Sequence, residues 1–165
     1  MFHALKVRKK NLMISFYFAP EPAVGAKRFS FLSKMLQEKF TEIHVLTVNE
    51  KYITASRDDT VLYGGKVHRV AMYPPFPLKN GSFAAKVFNR LWGKSFFYLT
   101  DPYSGWILPG LIRGLKIIRS NKIDTVIATG PPFSTMILGL FLKLMSNVSL
   151  ISELLTSGNK MPDFA

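Results

Sequence analysis

Short apolar runs, each closed by proline, glycine or polar residues and followed by a helical pattern, recur along this chain of 165 residues. The first is the plainest. Leu12 to Phe18 is almost continuously apolar, as a strand covered on both faces must be, and a strand over Asn11–Phe18 is expected. Pro20 and Pro22 stop it, and Gly25 follows. From Ala26 to Phe40 the apolar residues Phe29, Leu32, Leu36 and Phe40 recur at helical spacing, with Lys27, Arg28, Lys34 and Lys39 between them. Further strands are expected over 43–48, 66–70, 123–128 and 148–152. Helices are expected over 83–98, 104–120 and 133–146, and Pro74, Pro75, Pro77 and Gly81 make 72–82 a loop. Alternation of this kind builds βαβ units with right-handed crossovers, hence an α/β fold whose parallel sheet is flanked by helices. The expected organisation is one domain over 11–153, a basic extension over 1–10 and an irregular tail over 154–165.

Charge is the next constraint. The net charge is +12, and it is uneven: residues 1–100 carry 16 Lys and Arg against 6 Asp and Glu, the remainder 6 against 4. A lopsided basic half points to a polyanionic partner, either phosphates, nucleic acid or an anionic membrane surface. The basic, aromatic segment Phe83–Tyr98 suits such a membrane surface, and equally suits a surface helix with its apolar face on the sheet. The most apolar stretch, Phe133 to Leu144, contains Lys143 and falls well short of the roughly 20 residues a membrane span needs, so it reads as a core helix. The run from Leu12 is short for a signal sequence and lacks a clean cleavage site. With no cysteine there are neither disulfides nor thiolate metal sites, and His3, His44 and His68 lack ligand spacing, so no metal and no cofactor is expected.

In an open parallel sheet, ligands sit beyond the carboxyl ends of the strands. Three loops therefore matter: 19–26, 72–82 with 99–105, and 129–133. In the first, Gly25 lets a ligand approach the backbone, and the N–H groups of a helix start favour an anion. Lys27 and Arg28 oppose the helix dipole there, as a bound anion would explain; a plain turn with solvated cations is the competing reading. The dinucleotide fingerprint G-x-G-x-x-G is absent, as is the nucleophile elbow G-x-S-x-G. In Ala128-Thr-Gly-Pro-Pro-Phe-Ser134, Gly130 permits a tight turn that Pro131 and Pro132 stiffen, and Ser134 or Thr135 can cap the next helix. In Leu99-Thr-Asp-Pro-Tyr-Ser-Gly-Trp106, Asp101, Tyr103 and Trp106 could bind a sugar. Alternatively Asp101 caps the following helix and Trp106 belongs to the core.

Taken together, the segments FYFAPEPAVGAKRF (16–29), IHVLTV (43–48), DPYSGW (101–106) and IDTVIATGPPFS (123–134) resemble the N-terminal domain of GT-B glycosyltransferases, of the family-4-like kind that assembles polysaccharides. The resemblance spans roughly residues 11–153 and implies a Rossmann-like sheet and a retaining transfer from a nucleotide-diphosphate sugar to a glycan acceptor, lipid-linked in many assemblies. It assigns Gly25, Ala26, Lys27 and Arg28 to the donor phosphates and Tyr103, Trp106, Thr129, Gly130, Pro131 and Pro132 to the acceptor. Asp101 and Glu153 become the candidate catalytic carboxylates, Glu153 being the residue in register with an acidic stretch of the family. The family continues into a second, nucleotide-binding domain, so this chain by itself is expected to be inactive, at the cytoplasmic face of a membrane. Two other classes remain: a non-catalytic subunit of a split enzyme, and a basic nucleic-acid-binding module. The latter ranks lower because neither an aromatic RNA-binding strand nor a helix-turn-helix pattern is present.

Overall fold

The computed structural model describes residues 10–39, 42–52, 58–73, 101 and 103–154. Five strands, β1 (Lys10–Ser15), β2 (Glu42–Val48), β3 (Lys66–Val70), β4 (Thr125–Gly130) and β5 (Ser149–Leu154), pair in the order β3-β2-β1-β4-β5. Every pairing is parallel. The described helices are α1 (Val24–Lys39), α2 (Ile107–Asn121) and α3 (Phe133–Met145). This is the Rossmann-like α/β arrangement that the alternation of runs predicts.

Side-chain alternation along the strands splits the core in two. Leu12, Ile14, Leu46, Val48 and Val126 face one way and pack with Ile117 and Ile118 of α2 and Leu138 and Leu142 of α3. Met13, Ile43 and Val45 face the other way and meet Phe29 of α1. Helices thus cover both faces, which is why the central strand is buried along nearly its whole length.

The apolar run of the first strand outlasts its hydrogen-bonded ladder. β1 stops at Ser15, whose hydroxyl donates to the Tyr17 carbonyl at 2.6 Å, while Thr47 donates to the Phe16 carbonyl at 3.0 Å. Phe16 and Phe18 are nevertheless buried, one in each core cluster. There the sequence encodes burial rather than pairing. The fourth strand begins two residues later than the run over 123–128 suggests, because the Ile123 N–H closes α2 on the Ile118 carbonyl at 3.1 Å, after Lys122 turns left-handed at φ 53°. The helix expected over 104–120 opens as a tight 3₁₀ turn, Ser104–Trp106, before α2; Pro109 lies in the first turn of α2, where its missing N–H has no intrahelical partner to lose. Lys10 belongs to β1 rather than to a basic extension, paired with Glu42 at 3.3 Å, and Leu154 belongs to β5 rather than to the tail. The helix expected over 83–98, nearly all of the 72–82 loop, residues 1–9 and residues 155–165 lie outside the described residues.

Candidate functional site

β1 lies between β2 and β4, and the chain builds outward from it in opposite directions, through β2 and β3 on one side and β4 and β5 on the other. Such a switch point opens a crevice beyond the carboxyl ends of the two central strands. Its walls are the β1–α1 loop and the β4–α3 turn; Asp101 and Trp106 are tied to the latter through Ser134, and Tyr103 to the former through Phe16.

The β1–α1 loop is tied down by backbone and buried side chains. Ala19 donates to the Ser30 hydroxyl at 3.1 Å, and its carbonyl accepts from Arg69 Nη2 of β3 at 2.7 Å. Asp58 donates its N–H to the Pro20 carbonyl at 2.8 Å. Among the four residues assigned to a donor phosphate, Ala26 is fully buried, whereas a Cβ placed on Gly25 would meet nothing within 4 Å. Gly25 is also not among the glycines with positive φ. Neither turn geometry nor close packing therefore requires a glycine at this helical position.

The two cations that follow have partners of their own. Lys27 Nζ lies 2.9 Å from Asp58, whose carboxyl is drawn down to about 2 by the Thr60 hydroxyl and the Lys27 ammonium. Arg28 Nη2 lies 2.6 Å from Glu153 Oε1. Acids from distant parts of the chain thus explain cations set against the helix dipole without any bound anion. They also pair the proposed phosphate ligand Arg28 with the proposed catalytic Glu153, so Glu153 positions the guanidinium.

The second wall consumes most of its polar groups internally. Asp101 accepts from the Tyr103 N–H at 2.8 Å through Oδ1 and from the Ser134 N–H at 2.6 Å through Oδ2. It therefore caps α3, whose own N-cap Pro132 supplies no side-chain acceptor, and not the helix that follows it in sequence. Trp106 is fully buried, its indole N–H donating to the Ser134 hydroxyl at 3.1 Å and its ring edge-on to Phe16 at 5.6 Å. As an acceptor-stacking residue it is thereby ruled out: no ring face reaches solvent. Thr129 is equally buried and donates to the Ile14 carbonyl at 3.1 Å, locking β4 to β1. Gly130 and Pro132 are buried too, leaving Pro131 and the 54% exposed Phe133 on the surface of this turn.

Besides Pro131, Tyr103 is the acceptor-side residue that stays accessible. It is half-buried, its ring 4.5 Å from Phe16 and 6.1 Å from Tyr17. Tyr17 is held protonated well above the usual phenol range, first by burial, then by the Tyr103 hydroxyl and the charges of Tyr103, Glu21 and Asp101. Gly105 anchors the same loop to the end of β3: its carbonyl accepts from the Tyr73 N–H at 3.2 Å, and a Cβ there would collide with the Tyr73 carbonyl oxygen.

Three residues of the site carry no sequence signal. Arg69 reads as one cation on a weak strand, yet it braces the β1–α1 loop. Tyr17 reads as strand interior. Glu21, between two prolines, reads as a solvated turn residue, yet it is 6% exposed and burial raises its carboxyl above the usual range. His44 and His68 do meet, Nδ1 to Nε2 at 3.0 Å across β2 and β3, but no cluster of metal-binding side chains occurs among the described residues. No helix among them is long and apolar enough to cross a membrane. No protein-family model matches the chain, and comparison with curated proteins gives no match.

Proposed function

We propose that this domain is the acceptor-side half of a retaining glycosyltransferase of the GT-B kind, working with a nucleotide-binding domain and taking a glycan, lipid-linked in polysaccharide assembly, as acceptor. The observation that carries the reading is Gly25. Glycine costs about 0.5–1 kcal/mol relative to alanine in a helix interior, and Gly25 is the second residue of the 16-residue α1, where part of that penalty applies. With ordinary backbone and open space above it, the fold gains nothing in return. A ligand that must reach the backbone does account for it. The first-turn N–H groups of α1 have no intrahelical acceptors and point where a leaving diphosphate would gather charge. Arg28 can serve the same diphosphate while keeping Glu153, since a guanidinium has five N–H donors and the pair with Glu153 is made through Nη2. On this reading Tyr103, Pro131 and Phe133 line the acceptor side, and Asp101 holds that wall together.

Calorimetry with UDP-glucose and GDP-mannose tests the assignment. Together with its nucleotide-binding domain the wild-type chain should bind one of them, and Gly25→Trp should weaken that binding by roughly tenfold or more by filling the space above the helix start. Unchanged affinity in Gly25→Trp overturns the phosphate assignment.

A further inference from the structure

Among the described residues Glu21 is the only Asp or Glu in the buried class, and its Oε2 takes no hydrogen bond. The acids around the site are all engaged. Asp58 holds Lys27, Glu153 holds Arg28, Glu50 holds Arg69 at 3.1 Å, and Asp101 holds two backbone N–H groups. Arg69 even reaches the carbonyl of Ala19, two residues from Glu21, yet its ion pair is with Glu50. Leaving a buried carboxyl oxygen unpaired costs stability. The fold bears that cost at the end of its central strand, where an open parallel sheet places its ligand.

The surroundings define what would satisfy it. The Glu21 N–H is bonded to the Phe18 carbonyl at 3.1 Å, next to Tyr17 in the chain, and Asp101 holds the N–H of Tyr103, whose ring lies 6.1 Å from that of Tyr17. Tyr17 and Tyr103 are both half-buried, their rings edge-on to one another at 6.1 Å. Two carboxyls repel an anion, so this part of the crevice suits a neutral ligand. Aromatic surface, phenolic hydroxyls and a carboxyl with an unused oxygen together match a ring that bears C–H groups on its faces and hydroxyls on its rim. A hydroxyl can donate to the carboxylate or accept from the protonated acid, so either form of Glu21 engages it.

We propose that Glu21 is the hydrogen-bonding partner of a hydroxyl on a neutral sugar ring seated against Tyr17 and Tyr103. The proposal rests on the acceptor-side reading given above and adds to it the residue that recognises the ligand. It also divides the β1–α1 loop by chemistry, with a neutral hydroxyl at Glu21 and an anion at Gly25, four residues on.

The test is an NMR titration of the full chain with the methyl α-glycosides of glucose, galactose, mannose and N-acetylglucosamine. At least one should give saturable shifts at the Tyr17, Glu21 and Tyr103 amides. Glu21→Leu should weaken that binding roughly tenfold or more, and Glu21→Gln, which keeps an acceptor oxygen, should weaken it less. Because Oε2 has no partner within the fold, Glu21→Gln should leave the urea midpoint at neutral pH unchanged or raised. Absence of saturable shifts with all four glycosides overturns the proposal. So does equal affinity in Glu21→Leu, or a lowered midpoint in Glu21→Gln, which would assign the carboxylate a structural partner. The nucleotide-sugar calorimetry reports on Gly25 independently. Donor binding without glycoside binding removes Glu21 alone, and failure of donor binding removes the phosphate site whatever the glycosides do.

Discussion

The two walls of the crevice are built from similar material to different ends. In the 101–106 and 129–134 wall, both oxygens of Asp101, the indole N–H of Trp106 and the hydroxyls of Ser134 and Thr129 are spent on holding the wall itself. The β1–α1 wall pairs its mobile charges, Lys27 and Arg28, but keeps open space at Gly25 and an unused oxygen on Glu21. The first wall is mostly scaffold, with the buried Ser104 and neighbouring Thr135 hydroxyls as its unpaired groups, whereas the second keeps a carboxyl oxygen unpaired. The lesson is that residue type alone misassigns both. An aspartate, a tyrosine and a tryptophan in one loop look like a sugar site, yet two of the three are structural, while the recognition chemistry collects around a glutamate flanked by prolines.

The largest effect that can break this contrast is Asp101→Ala. It removes two charge-assisted bonds to backbone N–H groups, one of them at the start of α3, and should lower unfolding free energy by about 3 kcal/mol in urea titrations. Full stability together with lost glycoside binding or transfer would return Asp101 to a catalytic role and erase the difference between the walls. A smaller effect isolates the walls from the rest of the sheet. His44 and His68 lie on β2 and β3, flanked by Glu42, Lys66, Lys10 and Arg113. Burial is the first cause that holds both imidazoles below the ordinary histidine range; Lys66 pushes the same way on both, and Glu42 partly opposes it at His44. The folded chain then binds fewer protons than the unfolded chain in mild acid. Stability should be full above about pH 6.5 and decline below it. Urea midpoints from neutral pH down to mild acid check this. His44→Gln should flatten the profile, and a flat wild-type profile refutes the pair as its source. The smallest effect sharpens the open wall. Gly25→Ala should raise unfolding free energy by about 0.5–1 kcal/mol, because helix propensity improves and nothing is displaced. A loss of stability there would show that the glycine serves the fold.

The sheet was readable from residue order because covered strands need apolar runs and crossovers need helices. Its boundaries were less so. Phe16 and Phe18 continue the apolar run beyond the ladder because core side chains are needed past the last paired residue, and hydropathy cannot separate the two causes. Fold class and the positions of the β1–α1 and β4–α3 connections were legible; which side chains within them are free was not. The partner of Arg28 lies 125 residues away and that of Lys27 lies 31 residues away, so local spacing shows two cations with nothing to neutralise them. The role of Trp106 depends on Ser134, 28 residues on, for the same reason. Glu21 is harder still, since what distinguishes it is the absence of a partner after the chain has closed over it.

The junction of Tyr73 with Gly105 has a consequence for how such a domain can diversify. The two backbones touch, so the end of β3 and the turn that opens α2 are clamped together. A side chain at position 105 would meet the Tyr73 carbonyl and push apart the turn that carries Trp106, and with it the indole bond to Ser134. Variation that reshapes this wall has to proceed around that glycine, so inheritance of the scaffold is concentrated at a residue with no side chain to inherit.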